Sequence, residues 1–242
     1  GLIVCSLLIA SSAYVLTKDY EHRLRAYSIA RKEHAEKLKE VKVYSQLKVD
    51  IDRPPEPLSV ICRGMDGQLG STTTISHEDV PTEAIVHGGG NPLLNVFSTV
   101  DIVIIVQMVL SLLTILIAYD TLSGEREGGT LALMMSNPIS RHRIVIGKYL
   151  GGMGSLLLPL FLGWLTGLAV IQASPIVELG LAEWGRIGLL FLIATLYLST
   201  VFLLSALVSA KASRSATALV WLLFLWVVVV LIIPNGGAYL AG

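Results

Sequence analysis

Four apolar runs dominate this chain: about Val100–Tyr119, Tyr149–Ala173, Ile187–Val208 and Ala216–Ile233. A helix crossing a bilayer needs roughly 20 mostly apolar residues, because the hydrocarbon core is about 30 Å thick and each residue rises 1.5 Å. Lipid offers no hydrogen bonds, so each run has to satisfy its own backbone, and a helix does that within one segment. The expected fold class is therefore an all-α polytopic membrane protein. Composition agrees: 15% of residues are charged, against about a quarter in soluble domains. A fifth run, Leu2–Leu16, is interrupted only by Cys5 and three serines. It is slightly short for a span and begins directly after Gly1, with neither a basic leader region nor a small-residue cleavage site. It reads as a first span over 1–17 that lacks its beginning, which makes five visible spans.

Residues 18–99 have a different character. From Lys18 to Lys48 there are nine Lys/Arg, five Asp/Glu and no Gly or Pro, a composition that favours a helix, roughly 45 Å long. Leu24, Tyr27, His34, Leu38 and Val41 recur at alternating three- and four-residue steps, a thin apolar seam. Two readings stand: a solvated charged helix projecting from the membrane, or a seam that binds a partner. Arg53-Pro54-Pro55-Glu56-Pro57 ends any helix. Leu58–Cys62 looks like a short strand, and the glycine-rich stretches 64–74 and 87–92 carry turn chemistry. Together these make a small module outside the membrane.

The short loops set the orientation. Residues 120–148 hold Arg126, Arg141, Arg143 and Lys148, and the link 209–213 holds Lys211 with Arg214 just after it. The loop 174–185 has no Lys or Arg. Positive-inside bias therefore puts 120–148 and 209–214 in the cytoplasm and 174–185 outside. Parity then places 18–99 outside, where the charge rule fails for loops longer than about 60 residues. The resulting map is a first span over 1–17, an extracytoplasmic module over 18–99 and a second span over 100–119. A cytoplasmic loop follows over 120–148, then spans three to five and the start of an outer loop over 149–242. Pro159 falls inside the third span, where a kink is expected. Asp101, at the outer end of the second, suits snorkelling or capping better than proton relay.

The loop 120–148 is too polar to span and too patterned to be idle. Ser123 precedes Glu125 and Glu127, a helix start in which the carboxylates complement the amino-terminal dipole. Thr130-Leu131-Ala132-Leu133-Met134-Met135 gives an apolar face and Asn137-Pro138 stops it. A short helix at the cytoplasmic interface follows, serving equally as a membrane-surface anchor or as a docking element. Arg141, Arg143 and Lys148 also suit contact with anionic lipid.

The same loop resembles the permease subunits of type-2 ABC transporters, in particular the branch related to the permease for maturation of multi-copper enzymes. That family places an Asp, Ser-Gly-Glu-basic-Glu, Gly-Thr-Leu, Ser-Asn-Pro, Ser-Arg and Gly-Lys between its second and third spans. The matching residues are Asp120, Ser123, Gly124, Glu125, Arg126, Glu127, Gly129, Thr130, Leu131, Ser136, Asn137, Pro138, Ser140, Arg141, Gly147 and Lys148. Arg53-Pro-Pro-Glu-Pro-Leu58 and Ile233-Pro-Asn235 extend the resemblance along the chain. It implies that the loop carries a coupling helix seated in a groove of a separate ATPase subunit. Asp120, Ser123, Gly124, Glu125, Arg126, Glu127, Gly129, Thr130, Leu131, Pro138 and Arg141 would form that coupling site. Charged contacts would come from Glu125, Arg126 and Glu127, and an apolar notch would take Leu131 and Met134. It further implies a sixth span, a second permease copy or a similar chain as partner, export as the direction, and the inner membrane of a prokaryote.

Other chemistries are missing from the sequence. There is no G-x-x-x-x-G-K-[ST], since Gly147-Lys148 is followed by Tyr149. His77-Glu78 lacks the second histidine of a zincin, and no G-x-S-x-G occurs. Cys5 and Cys62 have neither metal-ligand nor C-x-x-C spacing. A net charge of zero gives no footprint for nucleic acid. No Asp/Glu/Lys cluster crosses the membrane, which argues against an ion-coupled carrier. The chain is not expected to be an enzyme or to hold a cofactor or metal. The competing class is a membrane scaffold or sensor whose outer module binds a partner. Nothing in the spans selects a substrate.

Overall fold

The computed structural model describes residues 2–40, 48–64, 72–76, 101–130, 136, 140–177 and 179–233. The elements are α1 (Leu2–Glu40), β1 (Lys48–Asp52), β2 (Thr72–Ser76), α2 (Ile102–Glu127), α3 (Arg141–Gln172), α4 (Leu181–Lys211) and α5 (Ser215–Trp226). Among the described residues, four helices are long and apolar enough to cross a membrane: α2, α3, α4, and α5 with its continuation to Ile232. These are the four long apolar runs of the sequence. The amino-terminal run is helical but is not among the four. It passes without a break into the charged turns that begin at Lys18-Asp19, and a fifth span is not shown among the described residues.

Two helices depart from α geometry. Ile105–Leu110 in α2 and Val227–Ile232 after α5 are π-helical, a wider turn with i→i+5 bonds. Pro159 lies inside α3, which continues as helix on both sides of it. The chain divides into two compact units, one of Gly1–Ser6, Val103–Trp164 and Arg186–Gly242, the other of Leu7–Ile102 and Leu165–Gly185.

In the second unit, α1 buries Ile9, Ala13 and Leu16 on one face and leaves Leu7, Tyr14 and Val15 exposed. A Cβ added to Gly167 of α3 would lie 3.2 Å from Ile9 Cγ2, so that glycine allows close approach of the two helices. Ser174 donates to Glu21 at 3.1 Å and ties α1 to the loop after α3. Beyond Lys18, α1 is not simply solvated. Arg23 pairs with Asp19 at 2.9 Å and donates to Ser59 at 2.8 Å, while His34 meets Asp52 of β1 at 2.7 Å. The seam residues Leu24, Tyr27 and His34 are half-buried, whereas Leu38 is exposed and Val41 lies outside the described residues.

Two local expectations are corrected in this unit. Pro57–Val60 is a 3-10 turn, not the start of a strand. Pro57 fixes the first helical position, and Ser59 donates to the Glu56 carbonyl at 2.6 Å, closing the turn locally. Nor is the molecule wholly α: β1 and β2 pair antiparallel, Lys48 opposite Ser76 and Asp52 opposite Thr72. β1 begins at Lys48, the last residue of the expected charged helix. Asp101, the residue before α2, is buried and accepts a hydrogen bond from the Cys62 thiol.

In the first unit, Ala118 of α2, Met153 and Leu156 of α3, and Phe202 of α4 form a buried cluster. Tyr149 meets Phe202 edge-on at 5.8 Å and hydrogen-bonds Ser199 at 2.7 Å. A Cβ on Gly152 would sit 2.3 Å from Phe202 Cε2, and the ring is too well packed to move aside. Trp226 donates to Ser111 at 2.8 Å, and Trp164 packs edge-on against Phe191 at 5.5 Å. Both tryptophans are packing residues, whereas Trp221 and Phe224 stand exposed on an apolar helix.

Gly152→Ala is expected to destabilise the protein by about 1–3 kcal/mol, the usual cost of overpacking. Thermal unfolding in detergent measures this, and the loss should shrink in a Phe202→Leu background. Burial, then the neighbouring Asp101 charge, pushes the Cys62 thiol up to about 11. In a Cys5→Ser chain, alkylation of Cys62 should be slow at about pH 8 and gain about tenfold per pH unit, because only the thiolate reacts. Asp101→Asn should move that profile to lower pH.

Candidate functional site

The end of α2 is built around a break in its backbone ladder. Thr121 N–H bonds to the Ala118 carbonyl, and the ladder resumes when Gly124 N–H bonds to that of Asp120. Leu122 and Ser123 fall between, so their amides need other acceptors. Ser209 of α4 supplies one: its Oγ accepts from Leu122 N–H at 3.1 Å and from Ser123 N–H at 3.0 Å. The two hydroxyls lie 3.1 Å apart, and Ser123 Oγ donates to the Tyr119 carbonyl at 3.0 Å. Ser209 therefore donates to Ser123, so that Ser209 uses both of its own lone pairs and its proton. Both serines are fully buried.

This corrects the expected role of Ser123. The turn Ser123–Glu127 is helical, but Leu122 holds the capping position and makes no side-chain cap. The cap comes from another helix. Gly129, at φ +70°, supplies the left-handed residue that ends the turn.

Three charged side chains fasten the same turn to its neighbours. Arg126 donates to the carbonyls of Ala212 at 2.8 Å and Ala210 at 2.9 Å. A cation there satisfies orphan acceptors at the end of α4 and complements its dipole. Glu127 accepts from Ser215 at 2.8 Å, placing a carboxylate at the start of α5, which carries no acid in its own first turn. Glu125 pairs with Lys148 of α3, and Lys148 also donates to the Thr121 carbonyl. Gly124 has Asp120 Cβ 3.3 Å and Ser215 Oγ 3.6 Å from where its own Cβ would be, so the turn seats tightly on α5.

The expected site residues thus divide. Ser123, Gly124, Glu125, Arg126 and Glu127 converge on the ends of α3, α4 and α5. Asp120 is exposed at the surface of the turn, as is Thr130, which donates to the Glu125 carbonyl at 3.2 Å. Leu131, Met134 and Pro138 lie outside the described residues. Arg141 opens α3, and its side chain is outside them too. Lys148 works inside the site instead of facing lipid. Ser209 and Ser215 were missed by sequence reasoning. The available signal was the four-residue spacing of Ser205 and Ser209, which puts two buried hydroxyls on one face of α4. Among the described residues, no cluster of His, Cys, Asp and Glu could hold a metal ion.

Residues 1–241 match the family described as ABC-2 family transporter protein. The chain belongs to that family. Two curated relatives carry the name "Probable ABC transporter permease protein NosY". The protein from Stutzerimonas stutzeri is 39% identical over 125 residues, covering 48% of this chain and 44% of the relative. The one from Pseudomonas aeruginosa is 36% identical over 118 residues, covering 47% of this chain and 43% of the relative. This ABC-2 chain thus matches less than half the length of either relative.

Lys148→Ala would leave the Glu125 carboxylate, half-buried among helix ends, without its cation. The expected loss is about 1–2 kcal/mol of stability. The double substitution with Glu125→Ala should recover most of it in a double-mutant cycle read by thermal unfolding.

Proposed function

We propose that this chain is the membrane-spanning permease subunit of an ABC transporter, an exporter driven by a separate ATPase subunit that docks on the loop 120–148. The family match along nearly the whole chain carries this reading. The absence of a phosphate-binding loop from the sequence supports a separate source of ATP hydrolysis. Lys211, Arg214 and the basic residues of 120–148 support a cytoplasmic face for the same loops, in the inner membrane of a prokaryote. Residues 18–99 are then extracytoplasmic.

The site also suits docking. Arg126, Glu127, Gly128, Gly129 and Thr130 are exposed together with Asp120, while the buried side of the turn rests on three helix ends. A load applied to the exposed side is thus carried into the spans. α4 and α5 leave broad apolar faces uncovered, including Leu192, Leu196 and Leu203 on one and Val220, Trp221 and Phe224 on the other. Lipid and a second permease copy are their natural neighbours, since one such half does not enclose a path.

Replacing Glu125 and Glu127 together by Ala is expected to leave membrane insertion intact and to uncouple the ATPase from transport. Affinity purification of the full-length chain should recover a Walker-A subunit, with less recovered from the double variant. Recovery of no nucleotide-binding subunit, combined with silent substitutions, would favour the scaffold or sensor class.

A further inference from the structure

The covalent chain links the turn Ser123–Glu127 only to the helix it ends and, through 128–140, to α3. The hydrogen bonds add two helices that are remote in sequence. Ser209 closes the gap in the α2 ladder, Arg126 holds the last carbonyls of α4, and Glu127 holds Ser215 at the head of α5. These bonds span 84 to 88 residues of sequence. Four of these five bonds meet backbone groups that helix ends would otherwise leave unmet, and the fifth joins two side chains at the head of α5.

We infer that Ser209 is a positioning residue of the coupling machinery, and that it and Arg126 form a splice through which displacement of the turn Ser123–Glu127 moves α4 and α5 as well as α2 and α3. The inference rests on the docking reading above and extends it to a second loop. Ser209 touches no ATPase in this scheme. It acts through the two amides it accepts from, so that the link 209–215 follows the turn as one body. Lys211 and Arg214, both exposed in that link, then travel with it. A stretched hydrogen bond at this position costs more than at an open surface, because both hydroxyls are buried and have no water to turn to.

Hydrogen exchange on the full-length permease bound to its ATPase in nanodiscs tests this, comparing the nucleotide-free complex with one trapped by Mg-ATP and vanadate. In the native complex, trapping should alter exchange both in 119–128 and in 205–218. Ser209→Ala should speed exchange at Leu122 and Ser123 roughly fivefold, the loss of one cap. It should keep the trapping response of 119–128 and abolish that of 205–218. Ser209→Thr, which keeps the hydroxyl, should restore the second response, and Arg126→Ala should abolish it independently. A response of 205–218 that survives in both Ala variants overturns the splice. A native complex whose 119–128 amides ignore trapping defeats the docking reading itself, and the splice falls with it.

Discussion

A helix that stops leaves backbone groups unpaired, and near a membrane few partners are at hand to take them. Three helices of this protein stop or start within a few residues of one another in space: the turn ending α2, the end of α4 and the start of α5. Each supplies what another lacks. α2 has two amides without acceptors, and α4 brings Ser209 to them. α4 has carbonyls without donors, and the turn brings Arg126. The start of α5 has a positive dipole and no acid of its own, and the turn brings Glu127. The site is thus a mutual capping arrangement before it is anything else. Its lateral position is fixed by the packed cluster of Ala118, Met153, Leu156 and Phe202.

This origin explains how far the sequence could be read. The apolar runs over α2 to α5 were legible because spanning lipid demands length and apolarity together, a requirement with few alternatives. The loop 120–148 was legible as a pattern of residues, since Ser-Gly-Glu-Arg-Glu is dense enough to stand out. Its geometry was not. A cap is ordinarily local, and Ser123 sits where a local cap belongs, so Ser209, 86 residues away, carried no comparable signal. Nor did the pattern announce that the charged triplet also reaches partners in its own chain, Arg126 two carbonyls, Glu127 a hydroxyl and Glu125 the Lys148 ammonium. Lys148 was expected at the lipid surface for the same reason: charge says that a side chain needs a partner, not which one.

The module after α1 gives the complementary case. Composition distinguished 18–99 from the spans but not its internal packing. Periodicity correctly marked Leu24, Tyr27 and His34 as one half-buried side of a helix. It could not say that the covering chain is 48–64, held by Arg23 to Ser59 and by His34 to Asp52. The Pro57 turn was missed because a run such as Leu58–Cys62 is apolar in either conformation. Proline at the first position and a serine two residues on decide for the tight turn.

The π-helical stretch Ile105–Leu110 has a consequence for the second span. A π turn holds one more residue than an α turn, so the two ends of α2 are out of phase by about 100°, the angle one residue occupies. Ser111 and Tyr197 both donate to the Gln107 carbonyl inside that stretch, and Trp226 is hung on Ser111. The widened turn therefore acts as a phase adjuster. Without it, the face that brings Thr114, Ala118 and ultimately Ser123 toward α3 and α4 would point elsewhere on the helix. Related chains that differ by a single residue count in this region would have to recover the lost rotation some other way, or meet their neighbours with different side chains.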